Sequence, residues 1–240
     1  VRRCLLARCG LARRPKRPCR GWRSEPPPTI TIGYFQSIKD IDVSLCEKDG
    51  IGIVRRLTGG RAVLHNEELT YSILFSDEDF QPFRKKNIFV FIARCLINAL
   101  ETVGIHSQIA QKTKGDLRSA NCFASPAQYE VESSNEGKLI GSAQLIRDGV
   151  VLQHGAIPIT RSYTGIAKYL RHRSQFTKSA SSLSEAAGVD VNEEKLLSAL
   201  HDGFSRSIPM EEGNFSEYEW DLIRHLTSNK YSTPEWNMKR

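Results

Sequence analysis

Cys122 lies in the stretch DLRSANCFASPAQYE, and Lys138 follows sixteen residues later at the head of KLIGSAQLI. A cysteine attacks only as its thiolate, and a free thiol with a pKa near about 8.5 is only a few per cent ionised at neutral pH. A lysine ammonium within about 4–6 Å lowers such a pKa by roughly 1–3 units, so this pair does chemistry only where a fold brings it together. The residues around Cys122 are small and polar, Pro126 follows four positions on, and no helical or strand phase requires the thiol to be buried. Cys46, in a short helix beside Leu45, and Cys95, on an apolar helical stripe, read instead as small buried hydrophobes. The strand that Lys138 opens carries Gly141-Ser142-Ala143 at its middle. Three small side chains in a row waste packing area inside a strand unless a ligand or another backbone comes close.

A second cluster is RRLTGGRAVLHNEELTYSILF, residues 55–75. Arg55 and Arg56 are cations able to hold a carboxylate or a phosphate-bearing group. The Gly59-Gly60 pair makes a tight turn, and His65 closes the strand candidate RAVLH. The pair forms neither the G-x-x-x-x-G-K-[ST] nor the G-x-G-x-x-G phosphate loop. A nucleophile, a cation, a narrow slot and a glycine turn with arginines together suit acyl transfer through a thioester.

The elements that must position these residues are those of a mixed α/β domain. TITIGYF, IGIVRR, RAVLH and LTYSILF read as strands, the second and third joined by the Thr58-Gly59-Gly60 turn and the motif lying on adjacent strands. Residues 40–49 read as a short helix closed by Gly50. Ile88, Phe91, Ile92, Cys95, Leu96, Ala99, Leu100 and Val103 form one helical stripe that ends at Gly104. The strands 138–146 and 150–159 meet at Arg147-Asp148-Gly149, a hairpin signal. A basic, serine-rich connection leads to helices near 192–206 and 216–228. Strands first and helices after argue for a mixed sheet covered by helices, the α+β class, with no internal repeat.

The net charge of +7 suggests a nucleic-acid partner until its distribution is read. Nine of the 34 basic side chains fall in residues 1–23, which hold no acid, leaving 25 bases against 27 acids in the rest. A protein that neutralises phosphates keeps its positive surface on the folded body, so no nucleic acid is expected as a partner. The apolar stretches are too short for a membrane span. Six unevenly spaced cysteines, with no C-x-x-C and no zinc spacing, fit free thiols in the cytoplasm and no metal.

Taken together, RRLTGGRAVLHNEELTYS, NCFASPAQYEV, GKLIGSAQLIRDGVVLQHGAI and KYSTPEWNMKR resemble the lipoate–protein ligase and octanoyltransferase superfamily. The resemblance runs from about residue 27 to the C terminus and implies a mixed sheet flanked by helices, the catalytic fold of biotin and lipoyl protein ligases, with a tunnel for the acyl chain. It is nearest to the Gram-positive-type, cysteine-dependent octanoyltransferases. For these the resemblance implies Cys122 as acyl carrier and Lys138 as the cation favouring the thiolate and holding the acyl carbonyl. Arg56, Gly59, Gly60, Arg61, Ala62, His65, Gly141, Ser142 and Ala143 would line the acyl site, with Tyr71 helping to close it. The donor would be octanoyl-acyl-carrier protein and the acceptor a lipoyl-accepting protein such as the glycine-cleavage H protein, with no ATP, metal or other cofactor and a monomeric enzyme.

Two departures stand out. Asn66 replaces the acid that commonly follows the histidine, and residues 1–26 lack the family's opening strand and helix. That Arg-rich segment reads as disordered or mis-assigned in frame, ahead of a catalytic domain over 27–240. An ATP-dependent lipoate ligase remains the rival reading, although Arg61 stands where ligases usually carry a third glycine. A non-catalytic lipoyl-domain binder and a nucleic-acid binder working through the arginine tail are the alternatives from other classes.

Overall fold

The β-branched and aromatic runs of the first half do form strands, but they divide between two sheets. The computed structural model describes residues 28–76, 85–111, 120–124, 129–134, 137–171, 180–211 and 213–239, with the backbone alone at 4–8, 76, 85, 86 and 124. The smaller sheet contains β2 (Thr29–Ile32), β3 (Gly52–Arg55) and β4 (Val63–His65), preceded in the chain by β1 (Cys4–Arg8). β2 lies in the middle, parallel to β3 and antiparallel to β4. The expected adjacency of β3 and β4 therefore does not occur. Their connection, residues 56–62, is longer than the two to five residues of a tight hairpin, and it spans a strand instead.

The larger sheet has the order β1-β5-β9-β8-β7-β6, where β5 is Glu68–Ser76, β6 Ser107–Ile109, β7 Val131–Ser133, β8 Lys138–Arg147 and β9 Val150–Pro158. β4 and β5, neighbours in sequence, thus belong to different sheets. β1 runs parallel to β5 along its free edge, pairing Cys4 with Thr70 through to Arg8 with Leu74. The sequence reading gives this arginine-flanked run no strand, because five residues are too few to show a period. The rest of the proposed 1–26 segment lies outside the described residues. The β8–β9 hairpin turns where expected, with Asp148 and Gly149 both left-handed at φ 51° and 72°, the signature of a type I′ turn.

The apolar stripe forms α2 (Lys85–Thr102), which packs on the larger sheet. Tyr71, Ile73 and Phe75 of β5 meet Ile88, Ile92, Leu96 and Leu100 of that helix, and α4 (Glu193–Ser205) adds Leu196, Leu200 and Phe204. Each such side chain stabilises the fold by about 1.5–3 kcal/mol when fully buried. A second core lies under the smaller sheet, where Ile30, Ile32, Cys46, Leu64 and Ile166 cluster. Its helix α1 (Val43–Lys48) starts at Asp42, whose carboxylate accepts the Leu45 N–H. A third, small cluster of Val63, Phe123, Ala156 and Tyr163 joins one sheet to the other. The Cys122 segment sits at this junction.

The C-terminal elements are α3 (Leu183–Ala187), then α4, α5 (Glu217–Leu226) and α6 (Pro234–Asn237). The last closes the outer edge of β3. Asn237 Oδ1 accepts the Arg55 N–H at 2.8 Å, Trp236 Nε1 donates to the Arg55 carbonyl at 2.7 Å, and Asn237 Nδ2 donates to the Tyr231 carbonyl. Among the described residues no helix is long and apolar enough to cross a membrane. Replacing Asn237 with Ala leaves a buried backbone N–H without its acceptor. Chemical denaturation is expected to show a loss of about 1–3 kcal/mol, and a loss below about 0.5 kcal/mol would mean that α6 does not clamp β3.

Candidate active site

The site is built from the loop around Cys122 and the first turn of β8. The Cys122 segment is a short 3-10 turn, Cys122–Ala124, held by backbone bonds on both sides of the cysteine. Ala62 N–H donates to the Ala120 carbonyl and Cys122 N–H donates to the Ala62 carbonyl, each at 2.9 Å. Asn121, fully buried, accepts the Phe123 N–H through its side chain, and Gln36 Nε2 reaches the Ala120 carbonyl. Ala62, reached directly after the glycine turn, is therefore the residue that fixes the height of the thiol.

Lys138 approaches from below the loop with 1% of its surface exposed. Its Nζ donates to Glu130 Oε2 at 2.7 Å, to the Cys122 carbonyl at 2.9 Å and to Cys122 Sγ at 3.5 Å. The ring of Phe123 lies 5.4 Å from the ammonium. Burial pulls the lysine pKa down, but the negative charges of Cys122 and Glu130 outweigh it and hold the value above that of a free lysine. The backbone of Lys138 is tied as well, its carbonyl accepting the Ser181 N–H.

Gly141 lies beside this pair. A Cβ there would stand 3.7 Å from Cys122 Sγ, 3.6 Å from Lys138 Cε and 3.3 Å from Phe123 Cζ, so the absent side chain is what leaves room next to the sulfur. Ser142 continues the line: its N–H donates to Glu130 Oε1, and its hydroxyl shares a 2.7 Å bond with the Tyr71 hydroxyl. Tyr71 also receives a bond from Gln153 Nε2, and burial pushes its pKa up to about 12, so it stays a neutral donor. Ala143 pairs across the hairpin with His154.

The glycine turn covers the face that carries His154. Thr58, fully buried, shares a 2.6 Å bond with His154 Nε2. Gly60 has φ 93°, and its carbonyl packs so closely on Gly33 that a Cβ at Gly33 would collide with it. Arg56 braces the turn from within, one Nη donating to the Gly59 and Arg61 carbonyls at 2.9 and 2.8 Å and the other to Thr31. Burial lowers its pKa, with the Cys122 charge acting in opposition. Arg55 is fully buried and gives its guanidinium to the carbonyls of Gly33, Tyr34, Gln36 and Asn237, so it does not hold a ligand. The side chain of Arg61 acts on Lys138 only through its charge. His65 joins the turn through Thr31, whose hydroxyl bonds both His65 Nε2 at 2.8 Å and Arg56, while its Nδ1 is paired with Glu68 at 2.7 Å.

The structure thus brings Cys122, Lys138, Gly141, Ser142 and Tyr71 into one connected group and lays Gly59, Gly60, Ala62 and Ala143 around it. Glu130, His154 and Thr58 were not singled out in the sequence. Glu130 is one of two acids in YEVES, and nothing in that pattern separates it from Glu132. Cys46 and Cys95 are as expected: Cys46 is buried, and burial with the nearby acids raises its thiol to about 11. Cys95 is buried against α4.

A thiol held against a buried ammonium, next to a strand stripped of side chains, is the arrangement of an enzyme that carries an acyl group on cysteine. Residues 9–205 match the model of the lipoyl protein ligase A/B catalytic domain, and the chain belongs to that family. It is 32% identical to the octanoyltransferase LipM of Anoxybacillus flavithermus, covering 92% of this chain and 85% of the relative. It is 33% identical to the octanoyltransferase LipM of Bacillus subtilis over the same shares. A solved structure of a bi-partite lipoate protein ligase and its E2 lipoyl domain from Thermoplasma acidophilum superposes with a TM-score of 0.73 at 26% identity, covering 88% of this chain and 80% of that one. The fold is that of the lipoate ligase catalytic domain.

His154 makes the packing of the turn sensitive to acid. Its pKa falls from 6.5 to about 4, first through burial and then through the charges of Arg56 and His65, so the native state favours the neutral ring. A depressed histidine contributes stability that is full above pH 6.5 and is lost as the pH falls toward 4. Urea unfolding at pH 7 and pH 4.5 is expected to show the wild type losing about 2–3 kcal/mol more than His154→Gln. Equal losses would contradict the assignment.

Proposed function

We propose that Cys122 carries an octanoyl chain as a thioester, which makes this chain an octanoyltransferase of lipoate assembly. The observation that carries the reading is the 3.5 Å approach of Lys138 Nζ to Cys122 Sγ beneath a loop fixed on Ala62. The Cys122 thiolate attacks the thioester carbonyl of octanoyl-acyl-carrier protein. The carbonyl carbon becomes tetrahedral, and its oxygen gains charge near the Lys138 ammonium, which is paired and needs no rearrangement. The C–S bond to the carrier breaks, the carrier leaves as its thiolate and takes a proton from solvent, and the chain remains on Cys122. The neutral ε-amine of an acceptor lysine then attacks that thioester, the C–S bond breaks so that Cys122 leaves as its thiolate, and the nitrogen gives up a proton to leave the chain as an amide.

The first step exchanges one thioester for another, and amide formation makes the second favourable. The acceptor is a lipoyl-accepting protein such as the glycine-cleavage H protein, and the enzyme works in the cytoplasm as a monomer. Neither ATP nor a metal enters these steps. The slot bounded by Gly141, Ala143 and the Gly59-Gly60 turn receives the chain. Tyr71 and Ser142, bonded to each other on the opposite face of β8, back the strand behind it, and Arg56, Arg61 and His65 set the turn that forms its outer wall.

Octanoyl transfer to an acceptor protein is expected without ATP, with parallel lines when the velocity is plotted reciprocally at several donor concentrations. Cys122→Ser is expected to lower kcat/KM by on the order of 10³-fold or more. A requirement for ATP, or survival of activity in Cys122→Ser, would favour the ligase chemistry instead. Gly141→Val places methyl groups against Cys122 and Phe123. It should lose about 100-fold in kcat/KM while far-UV circular dichroism stays unchanged, and near wild-type activity would place the acyl chain elsewhere.

A further inference from the structure

Lys138 Nζ lies 3.5 Å from Cys122 Sγ, and once that sulfur carries an acyl group a free amine there would be a hazard, because it would take the chain permanently. The arrangement around Lys138 answers that hazard. An ammonium has three N–H donors and no lone pair, whereas the neutral amine has two donors and a lone pair. Lys138 Nζ meets three acceptors: Glu130 Oε2, the Cys122 carbonyl and Cys122 Sγ. Only the ammonium satisfies all three. The pair is buried, Lys138 to 1% exposure and Glu130 to 3%, so solvent does not screen it.

Glu130 is itself fixed, since its other oxygen accepts the Ser142 N–H at 3.2 Å. The charged and titratable groups acting on Lys138 among the described residues are Cys122, Glu130 and Arg61. An acylated Cys122 carries no negative charge, and Glu130 is then the anion that favours the ammonium against Arg61 and burial. The carboxylate therefore matters most at the moment the thioester is present.

We propose that Glu130 is a positioning residue that keeps Lys138 protonated while Cys122 is acylated, and so prevents transfer of the chain from sulfur to Lys138. The reaction prevented balances without any further reagent. The Lys138 ammonium would lose a proton, its nitrogen lone pair would attack the thioester carbonyl, and the C–S bond would break. Cys122 would then leave as a thiolate, and the nitrogen would lose a second proton to become an amide that the acceptor cannot discharge. This inference rests on the cysteine thioester proposed above.

The test uses octanoyl-acyl-carrier protein without acceptor, followed by hydroxylamine, intact mass and peptide mapping. The wild type at pH 7.5 should carry one hydroxylamine-labile octanoyl group on Cys122. Glu130→Gln should accumulate an octanoyl group on Lys138 that resists hydroxylamine, and should lose activity in proportion to it. Glu130→Asp should fall between the two, and Glu130→Gln with Lys138→Arg should form no resistant adduct. The wild type supplies a reading that needs no variant: its Lys138 adduct should grow about tenfold per pH unit as the solution is made alkaline, following the free-amine fraction. A folded Glu130→Gln protein with only labile octanoyl on Cys122, or a wild type whose Lys138 stays clean at alkaline pH, would overturn the proposal. Absence of any labile adduct in the wild type would remove the thioester mechanism itself, and this proposal with it.

Discussion

The ion pair of Lys138 and Glu130 is the constraint around which the junction of the two sheets is arranged. A lysine at 1% exposure costs several kcal/mol to desolvate, and an isolated charge there would give up its proton. Here the cost is met by a carboxylate at 2.7 Å, by a carbonyl at 2.9 Å and by the Cys122 sulfur at 3.5 Å. Reaching all three requires irregular backbone. β7 shifts register against β8 between Val131 and Glu132, and Glu130 lies just before that shift, where its side chain can reach both Lys138 and the Ser142 N–H. The Cys122 turn then has to sit directly above, which the bonds to Ala62 secure.

The two arginines that precede the glycine turn show the same logic in the smaller sheet. Adjacent residues of an extended chain point to opposite sides. Arg55 turns toward the loop 33–36 and the C-terminal Asn237, while Arg56 turns toward Thr31 and the turn itself. Both fill backbone acceptors that a tight, buried loop would leave open. Gly33, packed under the Gly60 carbonyl, and Thr58, bonded to His154, then fix the turn against β9. The C-terminal aromatic Trp236 seals this edge, with Lys239 and Lys230 over its ring at 3.4 and 4.2 Å.

Much of this was legible in the sequence because it depended on short-range pattern. The stripe of α2, the type I′ turn at Asp148-Gly149, and the small residues of β8 each carry their cause within a few residues. Cys122 stood out because its surroundings demanded no burial, and Lys138 because it heads the next strand as a cation able to serve that thiol. The insertion of β2 between β3 and β4 was not legible, since parallel pairing depends on chain segments far apart. Arg55 was misread as a possible ligand holder for the same reason, as the partners of its guanidinium include a residue 182 positions away. Glu130 was invisible because a shift in register, rather than residue type, separates its surroundings from those of Glu132.

The central claim is that the acyl group rests on Cys122 between donor and acceptor. The most direct measurement mixes the protein with octanoyl-acyl-carrier protein in the absence of ATP and follows its intact mass, beside Cys122→Ala, before and after an acceptor protein is added. The account predicts an octanoyl increment that requires Cys122, disappears with hydroxylamine, and is discharged on addition of the acceptor at least as fast as steady-state turnover. A folded, active protein that never carries the increment, or whose increment the acceptor fails to discharge, would contradict it.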